Sequence, residues 1–225
     1  MLRLSDVRKV FNAGKPNACV SVDGVSLSIE PGKITALTGP SGSGKTTLLT
    51  LIGCMARPTS GRIWLNGTEI TSLPERFLTE IRRETFGFIF QQFNLIKGLT
   101  TLENVMLPAY PTGKKFGLLR KKALELLDLF GLGQKATAQV EWLSGGEAQR
   151  AATARALIND PRVIIADEPT AHLDSSLSRE FMGIIERLNS QGKTVILASH
   201  DPIVHESDAV TTIVMMRDGK IEKVA

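Results

Sequence analysis

The sequence is poor in cysteine: Cys19 and Cys54 are its only two. Two thiols cannot make a disulfide framework, and neither has a metal-type partner nearby, so a reducing compartment is the simplest reading. No uninterrupted apolar run reaches the length that a bilayer-spanning helix requires. The opening residues Met1-Leu2-Arg3-Leu4-Ser5-Asp6 lack the apolar centre of a secretory leader. A cytoplasmic protein is therefore expected. Basic residues (27) only slightly outnumber acidic ones (23), and the densest cluster is Arg120-Lys121-Lys122. A nucleic-acid binder would carry a stripe or patch of positive charge, so no nucleic-acid partner is expected. Internal repeats, low-complexity tracts and long linkers are missing too. Apolar residues at 42% and charged residues at 22% are ordinary globular usage, which excludes disordered and fibrous classes. A chain of 225 residues fits a single domain, 1–225, with a substantial core.

Short apolar strands alternate with amphipathic helices, the pattern of an α/β domain. Ile34–Thr38, Val163–Ala166 and Thr194–Ala198 read as strands, Thr46–Cys54 as a helix after a glycine loop. Leu177, Phe181, Ile184, Ile185 and Leu188 fall at helical spacing and predict a helix over 176–190, ended by Gly192. The first 30 residues and the segment around Asn66-Gly67 read as an antiparallel layer. Residues from about 92 to 150 read as a helical subdomain, with a helical run from Leu119 to Phe130. A hairpin turning at Asp218-Gly219 is expected at 211–224.

Gly39-Pro40-Ser41-Gly42-Ser43-Gly44-Lys45-Thr46 matches the phosphate-loop pattern in full and lies between a strand and a helix. Glycines let successive N–H groups turn inward onto phosphate oxygens, and the helix adds its positive end. A nucleotide is the expected ligand of this loop together with Thr47, with Lys45 bridging the β- and γ-phosphates and the Thr46 hydroxyl on Mg2+; the family resemblance below makes it ATP. Asp167 and Glu168 close an apolar strand, where an open parallel sheet presents its ligand-facing residues. Asp167 suits a magnesium ligand, and Glu168 a base for the attacking water.

Leu143-Ser144-Gly145-Gly146-Glu147-Ala148-Gln149-Arg150 resembles the signature of ABC-type ATPases, with a helix expected to start at about Glu147. The resemblance spans roughly Leu4 to Val224. It implies a P-loop NTPase core, a mostly parallel sheet with flanking helices, carrying an N-terminal antiparallel layer and a helical subdomain. It also implies a head-to-tail homodimer closed by ATP, in which Ser144, Gly145 and Gly146 of one copy cap the ATP held by the other. By the same resemblance Phe11 stacks on adenine, and Gln91 touches magnesium and water. Asp174 communicates across the dimer, and His200 contacts the γ-phosphate. Gln92 is a weaker candidate than Gln91. His172 stands where many relatives carry a small or amide residue, and His205 belongs to no motif and reads as a surface residue. Trp64 and Trp142 read as packing residues, Trp142 beside the signature loop.

A transmembrane permease subunit is the implied partner, which would hold the chain on the cytoplasmic face of the plasma membrane. Exposed apolar residues after Gln91, namely Phe93, Leu95 and Leu99, are expected to line the groove for it. Phe90-Gln91-Gln92-Phe93-Asn94-Leu95 and Glu103-Asn104-Val105-Met106-Leu107-Pro108 are most similar to the branch of lipoprotein-releasing and macrolide-exporting ATPases, whose members carry no C-terminal regulatory domain. An importer ATPase for amino acids or ions shares every catalytic residue and stays open as an alternative. A soluble ABC protein acting on DNA or ribosomes would need a coiled-coil insertion or a second set of motifs, and a module that holds ATP without hydrolysing it would not need Glu168 and His200.

Overall fold

A computed structural model describes residues 2–171 and 173–225; His172 lies outside the described residues. The chain opens with β1 (Leu2–Phe11) and β2 (Cys19–Ile29), an antiparallel pair in which Leu2 faces Ile29 and Leu4 faces Leu27. Strand β3 (Ile34–Thr38) runs through the glycine loop into α1 (Lys45–Ile52). Strands β4 (Ser60–Leu65) and β5 (Thr68–Glu69) return to the free edge of β1 and complete a four-stranded sheet ordered β2-β1-β4-β5. Helix α2 (Glu75–Thr85) leads into β6 (Phe86–Ile89). Then come α3 (Thr101–Met106), a 3-10 turn over Leu107–Thr112, α4 (Phe116–Leu129) and α5 (Gly145–Leu157). The chain continues through β7 (Val163–Asp167), α6 (Ser175–Ser190), β8 (Thr194–Ala198) and α7 (Pro202–His205) to the hairpin β9 (Thr212–Arg217) and β10 (Lys220–Val224).

The second sheet is ordered β10-β9-β3-β8-β7-β6, parallel except for the edge strand β10. Its central strands are mostly apolar and almost fully buried because both faces are covered. Successive side chains alternate between two cores. Val163 and Ile165 of β7, with Ile196 and Ala198 of β8, point into the core shared with α1 and the antiparallel layer. Ile164, Ala166, Val195 and Leu197 point into the core shared with α3, α4, α5 and α6. The helical segment thus packs directly on the sheet.

Helix starts follow from side chains that replace missing backbone partners. Thr100 and Glu103 form a capping box on α3, as Ser144 and Glu147 do on α5, each worth about 1 kcal/mol. Because Ser144 is the cap, α5 begins at Gly145 rather than at about Glu147. Helix α1 likewise spans 45–52 rather than 46–54, since Cys54 adopts a left-handed φ of 59°. Helix α2 and strand β6 had no counterpart in the sequence reading. Trp142 is not a packing residue: it is 71% exposed. His205 is half-buried, its Nδ1 without a partner.

Candidate functional site

The loop between β3 and α1 is held in shape by glycines that no other residue can replace. Gly44 has φ 100°, and a Cβ there would lie 2.3 Å from the Ser21 carbonyl oxygen. Gly39 has φ 137°, and its Cβ would lie 2.1 Å from the Met216 carbonyl. Lys45 is 6% exposed. Its ammonium donates to the carbonyls of Gly39 (2.7 Å) and Pro40 (3.1 Å) and stands 3.7 Å from the Glu168 carboxylate. No side chain caps α1 and no acid sits in its first turn, so its N-terminal amides and dipole favour an incoming anion.

Beside this loop the parallel strands β7 and β8 end together, Asp167 pairing with Ala198. Glu168 donates its N–H to the Ala198 carbonyl (2.9 Å) and takes a φ of 44°, a left-handed conformation that costs a residue with a side chain about 1 kcal/mol or more. The turn directs its carboxylate to His200, whose Nδ1 is 2.8 Å from Glu168 Oε2. The Thr46 hydroxyl donates to Asp167 Oδ1 at 3.0 Å.

Burial pushes the Asp167 carboxyl above the ordinary aspartate range; the Thr46 hydrogen bond pulls it back, and the neighbouring Glu168 charge raises it. The folded chain therefore holds a proton on Asp167 more tightly than the unfolded chain does. Ionised Asp167 weakens the fold progressively as pH rises through the unfolded value, and fully above the folded one. In nucleotide- and metal-free buffer, Asp167→Asn is expected to raise Tm at neutral pH, with the gain vanishing below the ordinary aspartate value of 3.8. A lower Tm at neutral pH would contradict this.

Among the described residues no group of three or more His, Cys, Asp or Glu side chains could hold a metal. Thr46 and Asp167 instead offer two hard oxygens close together, and Mg2+ suits such a pair because it takes few protein ligands and keeps waters and phosphate oxygens. The residues present fit that ion.

Pro40, Ser41, Gly42, Ser43, Gly44, Lys45, Thr46 and Thr47 line one cavity with Gln91, Glu168, His200 and Ser21, about 460 Å³ in volume. Four other groups of sequence candidates lie outside its lining. Gly39 and Asp167 each bond a lining residue, Gly39 accepting from Lys45 and Asp167 from Thr46. Phe11 ends β1, 45% exposed, with the Lys9 ammonium 5.3 Å from its ring centre. Ser144 and Gly145 are exposed at the start of α5, while Gly146 is buried against Leu177 of α6. Asp174 caps α6, accepting from the N–H groups of Ser176 and Leu177.

Sequence reasoning missed three supporting residues. Ser21 bonds Thr47 hydroxyl to hydroxyl at 2.7 Å. Arg155 is 8% exposed and donates to the carbonyls of Phe93 and Asn94, two residues with positive φ, so the far end of α5 fixes the chain just after Gln91. Its signal was a lone arginine within Ala151-Ala152-Thr153-Ala154-Arg155-Ala156-Leu157. Gln149 is 3% exposed, and both ends of its amide lack a partner.

A family model described as ABC transporter matches residues 22–171. A macrolide export ATP-binding/permease protein of Hyphomonas neptunium is 43% identical over 221 residues, covering 98% of this chain and 34% of that protein. An ABC transporter ATP-binding protein of Thermotoga maritima is 40% identical over 222 residues, covering 99% and 94%. The chain thus spans about a third of the length of the macrolide-export relatives and nearly all of the Thermotoga protein. Among solved structures, the dimeric MJ0796, a bacterial ABC transporter cassette, superposes with a TM-score of 0.91 at 39% identity, covering 100% and 98% of the two chains. A post-hydrolysis dimer of the same cassette bound to ADP and Pi gives 0.90.

Proposed function

The chain belongs to the ABC transporter family, and from that premise we propose that it binds and hydrolyses ATP to drive a separate membrane subunit. The observation that carries the reading is Glu168, turned out of the strand end, held by His200 and facing the same cavity as Lys45 and Thr46. ATP would lay its phosphates on the amides of residues 41–46, where Lys45 exchanges its own loop carbonyls for phosphate oxygens. Thr46 and Asp167 would hold Mg2+, which when bound neutralises phosphate charge. Glu168 takes a proton from water as the water oxygen bonds to the γ-phosphorus, and the bond from that phosphorus to the β–γ bridging oxygen breaks. His200 fixes the Glu168 carboxylate, and Gln91, which lines the same cavity, would orient the water. Phosphate release from ATP by the isolated chain, abolished with Lys45→Ala, is the direct test; a wild-type chain with no turnover would contradict the reading.

Ser144 and Gly145 are phosphate-binding in type, yet they do not line the cavity of their own chain. That supports a head-to-tail dimer in which each cavity is closed by the partner's α5. Phe11 then serves the adenine and Asp174 the contact between copies.

For the membrane subunit, the expected exposure of three residues needs correction. Phe93, Leu95 and Leu99 are only partly exposed, and Leu95 packs on the core because Arg155 and the buried Asn104 tie the 93–96 backbone inward. The better groove, about 320 Å³, is lined by Met55, Phe88, Phe90, Pro108 and Pro111. A helix of the permease would seat there, on the cytoplasmic face of the membrane. Met55 is 42% exposed, so Met55→Asp is expected to cut assembly with the membrane subunit about tenfold or more while leaving the Tm of the isolated chain unchanged. Unaltered assembly would remove the groove from the account. The names of the macrolide-export relatives favour export over import.

A further inference from the structure

The stretch from Tyr110 to Lys122 plays no part in the site, and its surface is unusual. Phe116 is 63% exposed and Leu118 is 65% exposed, both in the first turn of α4, with Tyr110 45% exposed before them. Around them stand Lys114, Lys115, Arg120, Lys121 and Lys122, and the sequence has no acidic residue between Glu103 and Glu125. Asp160, whose charge reaches Lys114 and Lys122, bonds Lys193 at 2.7 Å, and Glu125 lies 3.9 Å from Lys121. Glu125 thus partly balances Lys121, while Lys114, Lys115 and Arg120 form no ion pair among the described residues.

Exposed aromatic and leucyl side chains ringed by cations match a bilayer surface: the apolar pair enters the acyl boundary while the cations meet anionic headgroups. Phe116 and Leu118 line none of the larger cavities and stand out from the surface. A protruding apolar pair suits a deformable lipid surface better than a shaped protein partner. Position agrees as well. Pro108 and Pro111, just before the patch, wall the groove proposed for the membrane subunit, and Arg83 holds the Pro111 carbonyl at 3.1 Å. No helix of the described residues is long and apolar enough to cross a membrane.

We propose that Phe116 and Leu118, with the cations Lys114, Lys115, Arg120 and Lys121, form a docking surface for anionic lipid headgroups. This rests on the placement of the chain beneath a membrane, and it adds a contact that the membrane subunit does not supply.

The test is flotation of the full chain with phosphatidylcholine vesicles, with and without phosphatidylglycerol, in the absence of nucleotide and membrane subunit. Binding to the phosphatidylglycerol vesicles, weakened by salt, is expected. Each cation near an anionic leaflet is worth roughly fivefold in partitioning. Lys114→Gln/Lys115→Gln should therefore lower binding about twentyfold or more, by the same estimate. Phe116→Ser/Leu118→Ser should lower it about tenfold or more. Both variants should keep the wild-type Tm and ATP turnover in solution. Equal binding to neutral and anionic vesicles, or none, overturns the proposal. So does wild-type vesicle binding by the Phe116→Ser/Leu118→Ser variant. If both variants bind vesicles normally but fail to assemble with the membrane subunit, the surface belongs to that protein instead. Because the assay contains no ATP, a chain that binds lipid yet lacks turnover would sink the ATPase reading alone.

Discussion

Glu168→Gln is expected to slow ATP turnover by about 10²–10⁴-fold, the range over which a positioned general base contributes. The substitution keeps the shape and the acceptor oxygen that meets His200, so the turn at φ 44° and the cavity stay intact. What it removes is the oxygen able to accept a proton as water attacks. The negative charge 3.7 Å from the Lys45 ammonium is lost with it, which favours the lysine turning to phosphate. ATP binding should therefore survive while hydrolysis fails. Single-turnover measurement with saturating ATP and magnesium separates the two steps. A turnover within threefold of wild type would assign the proton to another group.

Gly44→Ala is expected to destabilise the fold by more than about 4 kcal/mol, the range reserved for severe steric or backbone faults. Gly42→Ala is expected to cost only about 1–2 kcal/mol. Both glycines have positive φ, 100° and 79°, so both substitutions are strained. They differ in what the new methyl meets. At Gly42 nothing lies within 4 Å, whereas at Gly44 the methyl would stand 2.3 Å from the Ser21 carbonyl oxygen, which belongs to β2 and cannot swing away as a side chain could. Ser21 also holds Thr47, so displacing it disturbs the loop from two directions. Urea unfolding of the two variants checks the order; equal costs would mean that β2 yields to the loop.

How much could be read without coordinates follows from how local each signal is. The strands buried on both faces, Ile34–Thr38, Val163–Asp167 and Thr194–Ala198, are short continuous apolar runs, and such runs have few other homes. The glycine loop was equally plain, because the positive φ values it needs are written in its residue types. Helix α2 was not legible: Leu78 is its one buried residue, so the stripe that marks a core helix is too thin. The expected exposure of Leu95 failed for a different cause. Leu95 reads as an exposed apolar residue until Arg155, some sixty residues further on, and the nearer Asn104 turn its backbone inward. Trp142 failed in the opposite sense, since tryptophan is assigned to packing by type while its place in a turn beside the α5 cap leaves it in water. Contacts that depend on chain separations of 50 residues or more carry no local pattern.

The central claim is that the cavity is completed by a second copy. Its most direct measurement is the molar mass of Glu168→Gln by light scattering, with and without ATP and magnesium. The account predicts a mass near twice the 24.4 kDa of the chain with ATP, returning to that of the single chain when ATP is withdrawn. A single-chain mass at saturating ATP, with the nucleotide demonstrably bound, would contradict it and leave Ser144 and Gly145 without the role given to them.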